Sequence, residues 1–198
     1  MRSPWTGTIV EIYFDTHPHW VMDYGCYAMT LRCRGSLPLA IQEKLKEIGL
    51  SLKGIAPASP DAVALRRKHF AVLDHALDAA TGSCPFAERK AAQAMSDLLA
   101  DYDFDGLRFD HWVVMPNHLH LITAPLELTC AQAFRTHWSR FKALSAKHIN
   151  QLQQTKGGFW QASWYDRWIR NETEHKSWQQ YLQQNPIKAG LHDWNYKK

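Results

Sequence analysis

The chain has 198 residues, 45% of them hydrophobic, and a formal net charge of +4. That length and apolar content fit one domain, or one domain with an insertion. No apolar run is long enough to span a bilayer, and Met1-Arg2-Ser3-Pro4-Trp5 lacks the apolar core of a signal peptide. Cys26, Cys33, Cys84 and Cys130 form no C-x-x-C pair, so a reduced, cytoplasmic protein is expected rather than a disulfide framework. The charge is uneven: residues 130–198 carry 11 Lys and Arg against 4 Asp and Glu. A basic C-terminal third attracts polyanions, although a solvated helix face would look the same.

In chain order, Thr8 to Phe14 reads as a strand or an added arm. His17-Pro18-His19 is a histidine pair around a proline. The proline and the lack of flanking β-branched residues predict a loop, and metal binding is not expected there. Tyr27 to Cys33 has strand character and ends at Gly35-Ser36-Leu37-Pro38. A short helix is expected over residues 39–47 and a loop from Gly54 to Pro60. Val63, Phe70, Leu73 and Leu77 recur at roughly helical spacing. His69 and His75, six apart, suit neither a helix face nor a common ligand spacing and read as structural. An amphipathic helix over residues 86–100 leads into an acidic turn from Asp101 to Gly106.

Arg108 to Met115 and His118 to Thr123 then predict two strands joined at Pro116-Asn117. Alternation along a strand puts His118 and His120 on one face, with Leu119 and Leu121 pointing into a core. Two imidazoles on one face of a rigid strand can grip a divalent ion, or can merely line a solvated sheet. Residues 130–152 form the longest helical pattern, with Phe134, Trp138, Phe141, Leu144 and Ile149 near one stripe. Gly157-Gly158 breaks it. Residues 159–170 are aromatic and basic and predict a strand and loop. Asn171 or Thr173 can cap a last helix. Pro186 disfavours helical geometry at Asn185 and is expected to end it there.

On that helix Tyr181 and Asn185 are four apart and share a face. Read alone, the tyrosine is a packing residue and the asparagine a C-cap or turn residue.

Four pieces stand in a telling order: Met115-Pro116-Asn117-His118-Leu119-His120-Leu121, then a long basic helix, then Trp160-Gln161 followed by Arg167-Trp168-Ile169-Arg170-Asn171, then Tyr181-Leu182-Gln183-Gln184-Asn185-Pro186-Ile187-Lys188-Ala189-Gly190. Together they resemble the single-tyrosine HUH transposases (histidine, hydrophobic residue, histidine), and within them the REP-associated tyrosine transposases. The resemblance covers residues 25–192. It leaves residues 1–24 as an arm of unassigned role, residues 52–105 as a possible helical insertion and residues 193–198 as a tail.

The resemblance implies an α+β, ferredoxin-like fold: an antiparallel sheet with helices on one face and the histidine motif on a central strand. It implies that His118 and His120 bind Mg²⁺ or Mn²⁺, that Asn185 adds a third ligand where relatives often have glutamine, and that Tyr181 is the nucleophile. The implied activity is cleavage and rejoining of single-stranded DNA next to a hairpin, through a 5′-phosphotyrosine, by a monomer or homodimer. Trp164 and Tyr165, with Trp160 and Trp168, could stack on bases, and Arg167, Arg170 and Lys188 could meet phosphates; Trp160 and Trp168 could equally be core, with only the charges touching solvent. The alternatives are a silent hairpin-binding regulator and a metallohydrolase using water.

Overall fold

A computed structural model describes residues 2–15 and 17–198; Met1, which opens the expected arm, and Thr16 within it lie outside the described residues. The strands are β1 (Ile9–Phe14), β2 (Pro18–Met22), β3 (Tyr24–Arg32), β4 (Phe109–Met115), β5 (His118–Thr123), β6 (Leu126–Glu127) and β7 (Tyr165–Ile169). The helices are α1 (Leu39–Ser51), α2 (Pro60–Asp78), α3 (Arg89–Asp101), α4 (Ala131–Leu152) and α5 (Glu172–Lys188). β1 and β2 form an antiparallel hairpin. The main sheet is antiparallel throughout, with β4 next to β5, β5 next to β3, β7 on the other side of β3 and the short β6 pairing with the start of β3.

The interior strands are the most apolar ones. All six residues of β5 and seven of nine in β3 are buried, as expected of strands covered on both faces. Met29, Leu31, Leu119, Leu121 and Val114 pack under α3 and α4, meeting Met95, Leu99, Phe134, Trp138 and Phe141. Cys26, Ala28, Val113, Met115 and Ile122 turn the other way and meet Leu182, Trp178 and Tyr181 of α5. Helices therefore cover both faces. The expectation of helices on one face is corrected, because the alternating side chains of β3, β4 and β5 are apolar on both sides and each side needs a cover.

α2 begins where Ser59 Oγ accepts from Ala62 N at 3.2 Å, with Pro60 in the first turn. α5 begins where Asn171 Oδ1 accepts from Glu174 N at 2.8 Å. Pro186 does not stop α5, which runs on to Lys188. The proline lacks the N–H that would bond one turn back, but it is buried, and the helix closes after it. Gly190 (φ +75°) donates to Ile187 O at 3.0 Å and Leu191 to Pro186 O at 2.8 Å, a C-terminal arrangement that favours glycine. Asn185 consequently sits inside a full turn, not at a frayed end.

The arm is tied to the body. Glu11 Oε2 accepts from Ala131 N at 2.9 Å, placing a carboxylate at the positive end of α4. His17-Pro18-His19 is not simply a loop: Pro18 opens β2, the position in a strand where a missing N–H costs least. At the other end, Val114 N donates to Tyr196 O and Lys198 N to Trp112 O, so the last residues lie along the outer edge of β4. Among the described residues no helix is long and apolar enough to cross a membrane.

Candidate active site

The β4–β5 hairpin pairs Met115 with His118 and Val113 with His120. β5 is flanked by β4 and β3, so both histidines lie on an interior strand. His118 is 0% and His120 1% exposed, and their Nε2 atoms are 3.0 Å apart. The opposite ring nitrogens are held. His118 Nδ1 donates to Asn117 Oδ1 at 2.6 Å, and His120 Nδ1 lies 2.9 Å from Thr30 Oγ1 on β3. Asn117 is fixed in turn by donating to Leu77 O of α2 at 3.0 Å. With Nδ1–H donating to Asn117, His118 Nε2 keeps its lone pair for an ion, and the Thr30 hydroxyl can accept from His120 Nδ1 in the same way, the usual orientation of a ligating imidazole. Burial drives both rings well below the ordinary histidine pKa, His120 to about 3. Both are neutral, as metal ligands must be.

α5 brings two further groups. Tyr181 Oη is 3.1 Å from His120 Nε2, and Asn185 Nδ2 donates to that same Oη at 3.1 Å. Asn185 is 0% exposed, and among the described residues its Oδ1 has no hydrogen-bond partner. A buried carbonyl oxygen without a partner is costly. Two facing imidazole lone pairs and one orphaned amide oxygen form a donor set that fits a divalent cation. The 3.0 Å separation agrees as well, since two nitrogens about 2.1 Å from one ion at a right angle stand about 3.0 Å apart.

Asp74, on α2, was not singled out by sequence. The Tyr181 hydroxyl donates to Asp74 Oδ1, which also lies 3.6 Å from His120 Nε2. Burial raises the Asp74 pKa. Burial and then the Asp74 charge push the Tyr181 phenol above its ordinary value. Nothing in the spacing of an aspartate on an amphipathic helix marks it out; the packing of α2 over the sheet brings it in. Nearby Asp78 is pushed up to about 6 by burial and then by Asp74.

Beside Tyr181 an open groove of about 700 Å³ is lined by Phe70, Arg167, Arg170, Ser177 and Trp178. Arg167 is engaged by Glu174, while Arg170 is exposed near Trp168, with its guanidinium 5.9 Å from that ring. Lys188 is exposed, with Nζ 5.4 Å from the Tyr181 ring centroid. The expected stacking residues are placed less openly. Tyr165 is 7% exposed and packs against Phe70, and Trp160 is buried with Nε1 donating to Ser145 Oγ at 2.9 Å. Trp164 and Trp168 are half-buried against the core. Burial takes Tyr165 and Trp160 off any open stacking surface. Trp178, which lines the groove, was not named as a contact from sequence. Elsewhere, His17, His19 and Asp166 form a cluster that could also hold a metal ion.

No protein-family profile matches the chain, and no curated protein does. A solved structure described as a REP-associated tyrosine transposase bound to a REP hairpin is similar at a TM-score of 0.43 and 16% identity, over 87% of this chain and 75% of that one. That likeness is weak.

Proposed function

We propose that the protein is a metal-dependent nuclease and strand transferase that cuts single-stranded DNA beside a hairpin, with Tyr181 as its nucleophile. One observation supports this above the rest. The phenol lies 3.1 Å from the Nε2 of a histidine whose own Nε2 is 3.0 Å from that of a second histidine. A lone packing tyrosine has no reason to meet one of two paired, neutral imidazoles and an asparagine amide whose oxygen is left over. The sequence resemblance assigns the same four side chains to one centre.

His118 Nε2, His120 Nε2 and Asn185 Oδ1 would hold Mg²⁺ or Mn²⁺, which when bound offsets the charge of a phosphodiester and polarises it for in-line attack. Imidazole donors tilt the choice toward Mn²⁺. Asn185 Nδ2 and Asp74 Oδ1 fix the direction of the Tyr181 hydroxyl. As Tyr181 Oη forms its bond to phosphorus, its proton passes to Asp74 Oδ1 and the bond from phosphorus to the 3′-oxygen breaks. The products are a 5′-phosphotyrosine and, once the leaving oxygen takes a proton, a free 3′-hydroxyl. The phosphodiester energy is retained, so a second 3′-hydroxyl can attack the same phosphorus and release the phenol. Arg170 and Lys188 are placed to meet phosphates along the groove, and Trp178 offers a base a ring beside the nucleophile.

The test is incubation of labelled single-stranded hairpin DNA with the protein and Mn²⁺. A covalent protein–DNA adduct is expected from the native chain and none from Tyr181→Phe. An adduct of equal yield from Tyr181→Phe would refute the nucleophile, and cleavage without adduct would point to water instead.

A further inference from the structure

The second histidine pair calls for a separate explanation. His17 and His19 flank the start of β2, and β2 lies against β7, which carries Asp166. His19 Nδ1 contacts Asp166 Oδ1, and His17 Nε2 lies 3.9 Å from the same oxygen. The two imidazole centroids are 4.3 Å apart. Donor atoms of all three residues fall within 4.8 Å of one another, and all three are buried. The Asp166 side chain is 1% exposed, and among the described residues no lysine or arginine lies within ion-pair distance of it. A buried carboxylate whose close ion-pair contacts are imidazoles is an expensive arrangement unless a positive charge joins it.

We propose that His17, His19 and Asp166 bind a divalent transition metal, with Zn²⁺ the ion their chemistry favours. Two imidazoles and one carboxylate make the mixed nitrogen and oxygen set typical of zinc. His17 also lines a cavity of about 410 Å³ that runs past His69 to Thr30. That opening leaves room for a fourth ligand such as water. The ion would fasten the β1–β2 hairpin to β7, the strand that leads through Asn171 into the helix bearing Tyr181. The site shares no ligand with His118 and His120, and it does not depend on the function proposed above.

The test uses the full chain carrying His118→Ala and His120→Ala, stripped of metal and dialysed against Zn²⁺. One bound zinc per chain is expected, falling to near zero when Asp166→Asn is added in a chain whose circular dichroism is native. No zinc in the first variant overturns the proposal, and so does zinc fully retained after Asp166→Asn. A second measurement needs no variant: anomalous scattering at the zinc edge from crystals of the native chain soaked in Zn²⁺. A peak between His17, His19 and Asp166 supports the site, and peaks confined to other positions refute it.

Discussion

The chain uses the pattern histidine, one residue, histidine twice, and the two copies end in different surroundings. His118 and His120 sit on β5, flanked by strands on both sides, with each Nδ1 engaged by a neutral side chain, Asn117 or Thr30. His17 and His19 sit at the start of β2, and the carboxylate of Asp166 contacts His19 and lies 3.9 Å from His17 Nε2. The first pair has a phenol within hydrogen-bonding distance and a groove beside it. The second pair is walled by rings: His19 stacks on Tyr13 at 4.5 Å, and His17 stacks on Tyr165 at 5.5 Å. Spacing alone therefore does not distinguish the two pairs. What distinguishes them is the group that each strand's neighbours deliver.

That contrast can be broken by substitution. The largest effect is expected from His118→Ala combined with His120→Ala. Loss of the ion is worth several kcal/mol of barrier, about a thousandfold in Mn²⁺-dependent cleavage rate. Single-turnover assays on hairpin DNA read it, and an unimpaired double variant would move the chemistry elsewhere. Next comes Asp74→Asn, which keeps the shape but removes the proton acceptor. A drop of about a hundredfold in adduct formation is expected, with partial recovery as the pH is raised toward phenol ionisation. A drop that is the same at every pH would make Asp74 a packing residue only.

Smaller effects sharpen the comparison. Thr30→Val frees His120 Nδ1 and should weaken Mn²⁺ binding about tenfold to a hundredfold, read by calorimetry. Trp178→Ala should weaken single-stranded DNA binding by about 1 to 3 kcal/mol, read by anisotropy, if a base stacks on it. The smallest effect concerns Asp78. Its folded pKa, about 6, lies above the ordinary 3.8. The stabilising contribution of its protonated form is therefore full below pH 3.8 and is lost as the pH rises through 6. Asp78→Asn stays neutral, so it should raise Tm by a few degrees above pH 6 and by nothing near pH 3.5. Equal Tm gains at both pH values would assign the effect to packing.

Much of the frame was legible because it follows from local rules. β4, β5 and α4 announce themselves by apolar periodicity and by the Pro116-Asn117 turn, and the four-residue spacing of Tyr181 and Asn185 puts them on one helical face. The failures share a cause, which is tertiary packing. Pro186 carries a rule for local geometry, yet burial and the Gly190 closure let the helix pass through it. Tyr165 sits in an aromatic, basic segment where it could stack on a base, yet Phe70 of α2 packs against it. Asp74 and Asp166 are ordinary in sequence and gain meaning only from histidines 46 and 147 positions away. Helices on both faces likewise follow from long-range contacts, because β3 reads as apolar on either side whether one or two layers cover it.

The decisive measurement is peptide mapping by mass spectrometry of the native chain after reaction with single-stranded hairpin DNA and Mn²⁺, with nuclease trimming of the attached strand. The expected result is a nucleotide phosphate carried by the peptide that contains Tyr181, linked through that side chain. A nucleotide linked to any other residue, or cleaved DNA with every peptide unmodified, would contradict a phenol nucleophile held beside His118 and His120.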